Sequence, residues 1–259
     1  MPSDNSLWQI IQEETRSEAS REPALASFLH ATILNHDSLE CALSYHLANK
    51  LGSSEISALQ VREIIEQAFK SDPEIIKAVK ADLQAVFDRD SACDNYMTPL
   101  LYFKGFHALQ IHRIAHWLWR ENRRCLAFYL QSRVALIFSV DIHPAATMGK
   151  GIMLDHATGI VIGETAVVED DVSIMQAVTL GGTGKESGDR HPKVRRGVLV
   201  SAGAKILGNI EIGESAKVGA GSVVLKPVEA YTTVAGVPAV VVSRQCACSP
   251  AFDMNHDIE

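Results

Sequence analysis

The chain has 259 residues, 47% of them hydrophobic and 21% charged, proportions typical of a water-soluble globular protein with one or two folded domains. Its formal net charge of -7 and the absence of Lys/Arg runs argue against nucleic acid or an anionic membrane as the main partner and favour a small molecule. Five scattered cysteines without a CxxC pair, and no apolar run near the roughly 20 residues that span a bilayer, predict a reducing, cytoplasmic location.

The first half of the chain, from Leu7 to about Leu136, shows helical spacing of its apolar residues. The stretches "LASFLHATIL" and "VREIIEQAFK" each place an aliphatic stripe on one face, and the polar "SDPE" interrupts the pattern. Pro99 opens a further predicted helix, "PLLYFKGFHALQIHRIAHWLWRENRR", whose aromatic residues indicate a face buried against another helix or subunit. The sequence therefore predicts a helical domain over residues 1–139.

After Val140 an apolar residue returns at every sixth position over residues 140–243. Six residues of a helix end 240° away from their start, so these side chains would point in three directions and form no buried stripe. In extended chain, six residues preserve parity, and all of these side chains face the same side. Such a repeat predicts a solenoid of short strands, with an accidental periodicity in a β-sandwich as the less favoured alternative. The positions are Ile142, Met148, Leu154, Ile162, Val168, Ile174, Leu180, Val200, Ile206, Ile212, Val218 and Val224.

The first break in this period lies in "LDHATGIVIGE", where the step from Leu154 to Ile162 is eight residues. Two extra residues are expected to bulge the chain and push a polar pair, Asp155 and His156, out of a surface otherwise occupied by strand side chains. Irregularities in a regular scaffold are where sites are usually built, so this pair is a candidate for function.

The second break is a step of twenty from Leu180 to Val200. It contains "GGTGKESGDRHPKVRRG", which is too polar and too rich in glycine for a buried strand. The sequence predicts a loop over residues 183–197 that protrudes from the solenoid.

Several of these stretches together resemble the serine O-acetyltransferases. The resemblance rests on "DIHPAA", "GIMLDHATGIVIGETA", "VTLGGTGK" and "GDRHPK" in the repeats, and on "EPALASFLHATIL" and "TPLLYFKGFHALQIHRIAHWLW" in the helical half, and it covers roughly residues 8–245. It implies an α+β fold in which a helical N-terminal domain precedes a left-handed parallel β-helix, assembled as trimers that pair into hexamers. It also implies transfer of the acetyl group of acetyl-CoA to L-serine, which gives O-acetyl-L-serine and CoA in the first step of cysteine synthesis, without a tightly bound cofactor or metal.

The chemistry of such a transfer calls for a general base. A serine hydroxyl must lose its proton as it attacks a thioester carbonyl, and histidine has a suitable pKa. The glycine-rich half contains His143, His156 and His191. The resemblance assigns the base to His156 and its partner carboxylate to Asp141 in "DIHP". Asp155 is an equal candidate from the sequence alone, but neighbours in extended chain point to opposite faces.

The resemblance also assigns four residues to binding of the amino acid. Asp90 in "FDRDSACD" and Asp155 are expected to hold its ammonium group, and Arg190 and His191 in the protruding loop its carboxylate. Without the resemblance, Asp90 reads as a helix cap and the basic pair as solvated loop residues. Together the four residues suit a zwitterionic amino acid better than a sugar hydroxyl.

Acetyl-CoA is expected in a groove between neighbouring β-helices, again by resemblance. The backbone of Gly182, Thr183 and Gly184 is expected to contact it, together with Ala202, and Lys217 is expected near its nucleotide end. These assignments complete the predicted site.

Three other functions fit parts of the sequence. One is a hexapeptide-repeat acetyltransferase acting on a different hydroxyl, which would not need the helical half. Another is a zinc hydratase in which His143, His156 and His191 bind a metal between subunits. The third is a scaffold protein without catalytic activity.

The C-terminal segment 244–259 is predicted to be a flexible tail. In the family it resembles, a terminal isoleucine enters the active site of O-acetylserine sulfhydrylase. Here Ile258 is second to last and Glu259 adds a charge, which is costly to bury in an apolar pocket, so the sequence does not favour this partner. Inhibition by L-cysteine is a further expectation, because cysteine resembles serine.

Overall fold

A computed structural model describes residues 4–184, 187–244 and 249–258. Helices extend to Phe138, and the first strand begins at Val140 after a left-handed Ser139. No helix within the described ranges is long and apolar enough to cross a membrane.

Several helices of the N-terminal half begin at a polar side chain that accepts a backbone N–H of the first turn. Ser57 and Gln60 form a reciprocal capping box at the start of α4, and the Asp72 side chain caps α5. The helices are α1 (Asp4–Arg21), a 3-10 turn (Pro23–Leu25), α2 (Ala26–Leu29) with a π-helical turn (His30–Leu34), α3 (Leu39–Leu51), α4 (Ala58–Ser71), α5 (Pro73–Arg89), α6 (Met97–Tyr102), α7 (Lys104–Arg120) and α8 (Arg124–Phe138), with α9 (Pro250–Asp253) near the C-terminus.

The single helix predicted from Pro99 is wrong, because the structure has two helices there. Phe103 adopts an extended conformation (φ -82°, ψ 108°) between α6 and α7. This break sets the direction of α7, whose first residues lie against the solenoid.

The second half is a parallel β-solenoid of about five turns, as the period of six predicted. Sheet A contains β1 (Val140–Ile142), β4 (Ile160–Ile162), β7 (Thr179–Gly181), β10 (Lys205–Leu207) and β13 (Val223–Val224). Sheet B contains β2 (Thr147–Met148), β5 (Val167–Val168), β8 (Lys193–Val194) and β11 (Glu211–Ile212). Sheet C contains β3 (Met153–Leu154), β6 (Ser173–Ile174), β9 (Leu199–Val200), β12 (Lys217–Val218), β14 (Thr232–Gly236) and the antiparallel β15 (Ala239–Arg244).

The residues of the period line the interior of the solenoid. Met148 is partly buried, and the other predicted positions are at most 5% exposed. A coil without insertion pairs Val161 with Thr179, eighteen positions later. The coil that contains His156 pairs Val140 with Ile160, twenty positions later, so the two extra residues lie between β3 and β4.

The protruding loop is shorter than predicted. Lys193 and Val194 form β8, which pairs with β5 and β11, so the boundary at 197 is wrong and the loop spans residues 182–192. Val194 is fully buried and fills an interior position that the sequence analysis left out. Lys185 and Glu186 in this loop lie outside the described residues.

A buried ion pair joins the helices to the solenoid. Asp82 of α5 accepts hydrogen bonds from Arg113 Nη2 (2.6 Å), from Gln110 and from the N–H of Ile152. Arg113 of α7 also donates to the carbonyl of Gly149. The network holds α5 and α7 against the first coil.

We expect Asp82→Ala to lower the free energy of unfolding by about 3–5 kcal/mol, because it leaves a buried guanidinium without its carboxylate. Urea unfolding followed by circular dichroism measures this. The matched control is Asp88→Ala, which removes an exposed carboxylate from the same helix. An equal, small effect of both substitutions would contradict the prediction.

Candidate active site

His156 lies in a tight turn at the corner where the chain passes from sheet C to sheet A, here called the C–A corner. His156 and Ala157 both adopt left-handed backbone conformations, with φ of 52° and 58°. Such conformations cost about 1–3 kcal/mol each for residues with a Cβ atom. Ala157 is fully buried, whereas the His156 side chain is 72% exposed. The turn therefore presents the imidazole on the surface.

This turn overturns the argument that set Asp155 aside. The chain is not extended at His156, and the imidazole Nε2 lies 3.8 Å from Asp155 Oδ1. The two side chains are therefore neighbours on one surface.

The first turn of α7 packs directly on the turn that carries His156. A methyl group added at Gly105 would lie 2.0 Å from the carbonyl oxygen of Leu154 and 3.0 Å from the Ala157 side chain. Lys104 donates a hydrogen bond to the hydroxyl of Thr158. Only glycine allows the helix to approach so closely.

A cavity of about 590 Å³ lies between α5, α7 and this turn, and Asp90, Asp155 and His156 all line it. Asp90 directly follows α5, and its Oδ1 accepts the N–H of Ala92 at 2.9 Å, so it does not cap the start of a helix, which was the role expected without the resemblance. Burial raises the pKa of Asp155, and the nearby Asp90 carboxylate raises it further. Two acidic groups in a partly enclosed cavity favour a cationic ligand.

Arg190 and His191 lie at a different corner, where the chain passes from sheet A to sheet B, here called the A–B corner. Arg190 Nη2 forms an ion pair with Glu164 Oε2 at 2.6 Å. Thr165 Oγ1 accepts the backbone N–H groups of Arg190 (3.0 Å) and His191 (3.1 Å). The end of the loop, at Arg190 and His191, is thereby fastened to the coil that contains Glu164 and Thr165.

The geometry of His191 fixes its tautomer. Its Nδ1 accepts the backbone N–H of Thr165, so the proton lies on Nε2. The ring packs on Gly163, where an added methyl group would lie 2.0 Å from Nε2. Burial, and then the adjacent Arg190, lower the pKa of His191. His191 is thus a neutral hydrogen-bond donor beside a guanidinium, a pair suited to a carboxylate.

Asp141 lies on the outer face of sheet A, between the two corners. Gln131 of α8 donates to its Oδ1 at 2.6 Å. Within the described ranges its other carboxylate oxygen has no hydrogen-bond partner, and Asp141 shares no hydrogen bond with His156.

One chain does not bring the two corners together. Ile160–Ile162 of sheet A separates them and spans roughly 10 Å at about 3.3 Å per residue. His143 lies at the A–B corner with His191, away from His156. Among the described residues, no group of three or more His, Cys, Asp or Glu side chains is arranged to hold a metal ion.

The residues expected to contact acetyl-CoA are divided in the same way. Gly182, Thr183 and Gly184 start the loop at the A–B corner, and Gly182 lies beside Arg190. Ala202 lies at the C–A corner two coils beyond His156.

Lys217 is on sheet C, where the C-terminal segment covers it. It is 2% exposed and donates a hydrogen bond to the carbonyl of Asp257. Ser173 of the same sheet donates to the carbonyl of Ala251 at 2.9 Å, and Ser201 bonds His256 at 3.1 Å. Residues 249–258 therefore lie along sheet C, in contrast to the flexible tail predicted.

Ile258 lies beside Gly219 and is 44% exposed. Glu259, on which the expectation about the sulfhydrylase depended, lies outside the described residues, as do Cys246 and Cys248.

Sequence reasoning missed several polar residues at these corners. Gln131 lies on α8 ten residues before Asp141, and Lys104 lies on α7 far from Thr158 in sequence; no local pattern marks either residue. Glu164 and Thr165 follow Gly163 in the quoted "GIVIGETA" at the A–B corner, and that position is the signal that could have identified them.

The fold and the site together define a class of protein. A parallel β-solenoid with a six-residue period, and with a histidine, carboxylates and a basic loop at its corners, is the architecture of a hexapeptide-repeat acyltransferase. Comparison with known proteins defines the family.

The family model described as "Serine acetyltransferase, N-terminal" matches residues 7–111. Over 249 residues the chain is 61% identical to the serine acetyltransferase of Salmonella typhimurium. The aligned residues make up 96% of this chain and 91% of that relative. The chain belongs to the serine acetyltransferase family.

Solved structures of the family superpose on nearly the whole chain. A serine acetyltransferase described as a complex with cysteine has a TM-score of 0.96 and 60% identity, covering 98% of this chain and 99% of its own. The Brucella abortus enzyme in complex with coenzyme A has a TM-score of 0.92 and 53% identity, and the match covers 94% of this chain and 97% of that enzyme. The soybean enzyme complexed with serine has a TM-score of 0.91 and 56% identity, and the match covers 93% of this chain and 100% of that enzyme.

Proposed function

We propose that this protein transfers the acetyl group of acetyl-CoA to the hydroxyl of L-serine, giving O-acetyl-L-serine and CoA. The observation that carries the proposal is the cavity that places His156 beside the Asp90 and Asp155 carboxylates. An acidic pair binds an ammonium group, and a base beside it serves a hydroxyl on the neighbouring carbon. The related soybean and Brucella structures, described with serine and with coenzyme A, support the two substrates.

In the reaction, His156 removes the proton from the serine hydroxyl as its oxygen attacks the thioester carbonyl carbon. The new C–O bond gives a tetrahedral oxyanion, whose collapse breaks the C–S bond. The imidazolium then returns its proton to the departing thiolate. We propose that Asp141, whose Oδ1 accepts a hydrogen bond from Gln131, stabilises the imidazolium. The Asp155 carboxylate, whose Oδ1 lies 3.8 Å from the imidazole Nε2, also favours the imidazolium.

We infer that a complete site forms between two copies of the chain. The ammonium and carboxylate groups of serine are attached to one carbon atom, so a single molecule cannot reach both corners across sheet A. A neighbouring copy that brings its A–B corner against the C–A corner of the first would place Arg190 and His191 opposite Asp90 and Asp155. Val161, on the outer face of sheet A, is 40% exposed and available to such a contact. A closed ring of copies repeats this contact without leaving a free edge, and we propose a ring of three, as the resemblance implies.

Acetyl-CoA is proposed to lie along the same junction, near Ala202 and the loop that begins at Gly182. Lys217 can meet the nucleotide end only after the segment 249–258 moves away, because Asp257 covers it.

We expect a variant that ends before residue 249 to show a several-fold lower KM for acetyl-CoA, since the segment no longer competes for sheet C. The KM for L-serine should stay unchanged, because the segment supplies none of the four proposed serine-binding residues, and it serves as the internal control. Initial rates at varied acetyl-CoA measure both constants. An unchanged KM for acetyl-CoA would contradict the competition.

One regulatory proposal follows from the same site. L-cysteine, which shares the ammonium and carboxylate groups of serine, is proposed to inhibit by occupying the same residues, and the related structure described with cysteine supports this. The thiols Cys41, Cys93 and Cys125 are unpaired, which supports the proposed cytoplasmic location.

Release of the free CoA thiol from acetyl-CoA tests the proposed function. L-serine should support release, whereas D-serine and a simple sugar should not. Release with the sugar alone would favour an acetyltransferase for another hydroxyl, and absence of release with every acceptor would favour a scaffold. Elemental analysis of the same preparation tests the zinc hydratase, which requires stoichiometric metal.

A further inference from the structure

We propose that Lys104 is a positioning residue for His156, acting through its hydrogen bond to Thr158. The bond joins the first residue of α7 to the turn that carries His156. The inference rests on the proposed function, because it assigns a role to the turn that presents the proposed base.

The turn needs support from outside itself. Both His156 and Ala157 have positive φ, which is unfavourable for residues with a Cβ atom. Backbone hydrogen bonds anchor Asp155 to Ile174 and Gly159 to Ser139. Between these anchors, the N–H groups of Ala157 and Thr158 bond only within the turn, and the Thr158 carbonyl accepts the N–H of Ala177 in the next coil at 2.8 Å.

The start of α7 adds support from the helical side in two ways. Gly105 brings the helix backbone against the Leu154 carbonyl and the Ala157 side chain, which limits movement of the turn toward the helix. Lys104 holds Thr158, which limits movement away from it. Contacts on both sides of His156 restrict the positions its imidazole can take.

The contact is also specific in its partners. In the part of the chain that the structure describes, the Thr158 hydroxyl has no other hydrogen-bond partner than Lys104. Lys104 lines the same cavity as Asp90, Asp155 and His156, so the alternative is a direct contact of its ammonium group with substrate. The two roles predict different effects of substitution at Thr158.

A double-substitution cycle separates them. Lys104→Met keeps the aliphatic stem and removes the charge, and Thr158→Val keeps the shape and removes the hydroxyl. If Lys104 acts through Thr158, each single substitution lowers kcat about tenfold, leaves both KM values within about twofold, and the double variant is no slower than the singles. Lys70→Met, which removes an exposed lysine at the end of α4, is the matched control.

Hydrogen exchange provides a readout that does not depend on turnover. Amide exchange in a peptide spanning residues 153–161 should become faster in Lys104→Met and in Thr158→Val, and should be unchanged in Lys70→Met. In a His156→Asn background, Lys104→Met should cause no further loss of the residual rate.

Three results would overturn the inference. If both single variants keep the kcat and the amide exchange of the unsubstituted protein, the hydrogen bond between Lys104 and Thr158 does not hold the turn. A raised KM for serine in Lys104→Met, with normal behaviour of Thr158→Val, would make Lys104 a substrate contact instead. Absence of turnover in the unsubstituted protein would overturn the proposed function and this role with it, while faster exchange would still identify the tether as a structural contact.

Discussion

Replacing His156 by asparagine should lower kcat for acetyl transfer to L-serine by about 10²–10⁴-fold, the usual contribution of a general base. Asparagine tolerates the left-handed conformation found at this position, so the turn is preserved while the base is lost. The KM for acetyl-CoA should change little, because the proposed contacts with CoA lie on other residues. CoA-thiol release at saturating substrates measures kcat.

The control for this substitution is His30→Ala, which removes an exposed histidine from the helical half. It should leave kcat unchanged. Because the His156 side chain is 72% exposed, thermal unfolding of the His156→Asn protein should match that of the unsubstituted protein. Serine-dependent release that survives in the His156→Asn protein would remove His156 from its role and leave the reaction in place.

The solenoid could be predicted from the sequence because its core repeats. A six-residue period keeps every marked side chain on one face, and no helix does this. The same six-residue period also predicts an interior side chain at Val194, because Val194 lies six residues before Val200. Counting back from Val200 would have ended the loop at residue 192.

The break in the helix at Phe103 could not be predicted in the same way. Neither proline nor glycine occupies that position, and local propensity favours one continuous helix. The break is set by tertiary packing, because the first turn of α7 must fit Gly105 against the carbonyl of Leu154. Leu154 is about fifty residues away in sequence.

The two halves of the candidate site differ in how far the sequence predicted them. The breaks in the period marked both corners, and the resemblance gave roles to His156 and Arg190. The sequence did not predict that Asp155 would lie beside the imidazole, because the left-handed turn has no glycine to signal it. It also did not predict the packing of residues 249–258 on sheet C, which depends on isolated polar contacts rather than on a periodic pattern.

Co-expression of two variants that are each nearly inactive at low serine concentration should restore activity if the site forms between copies. In the proposed arrangement, one copy supplies Asp155 and His156, and its neighbour supplies Arg190. Arg190→Ala alone should raise the KM for serine strongly, because the carboxylate loses its charged partner. When His156→Asn and Arg190→Ala chains are expressed together, every mixed trimer contains one junction in which both contributions are intact. At low serine concentration, mixed trimers should therefore show about a third of the activity of the unsubstituted protein.

The decisive control pairs two substitutions on the same side of the junction. His156→Asn and Asp155→Asn chains change the same contribution, so no mixed trimer of these two contains an intact site. This mixture should remain inactive after purification through two different affinity tags. If the first mixture is as inactive as this control, both corners must act within one chain, and loop 182–192 would have to cross sheet A to reach His156. Its fastening to Thr165 and Glu164 opposes such a movement, which is why the arrangement between copies is favoured.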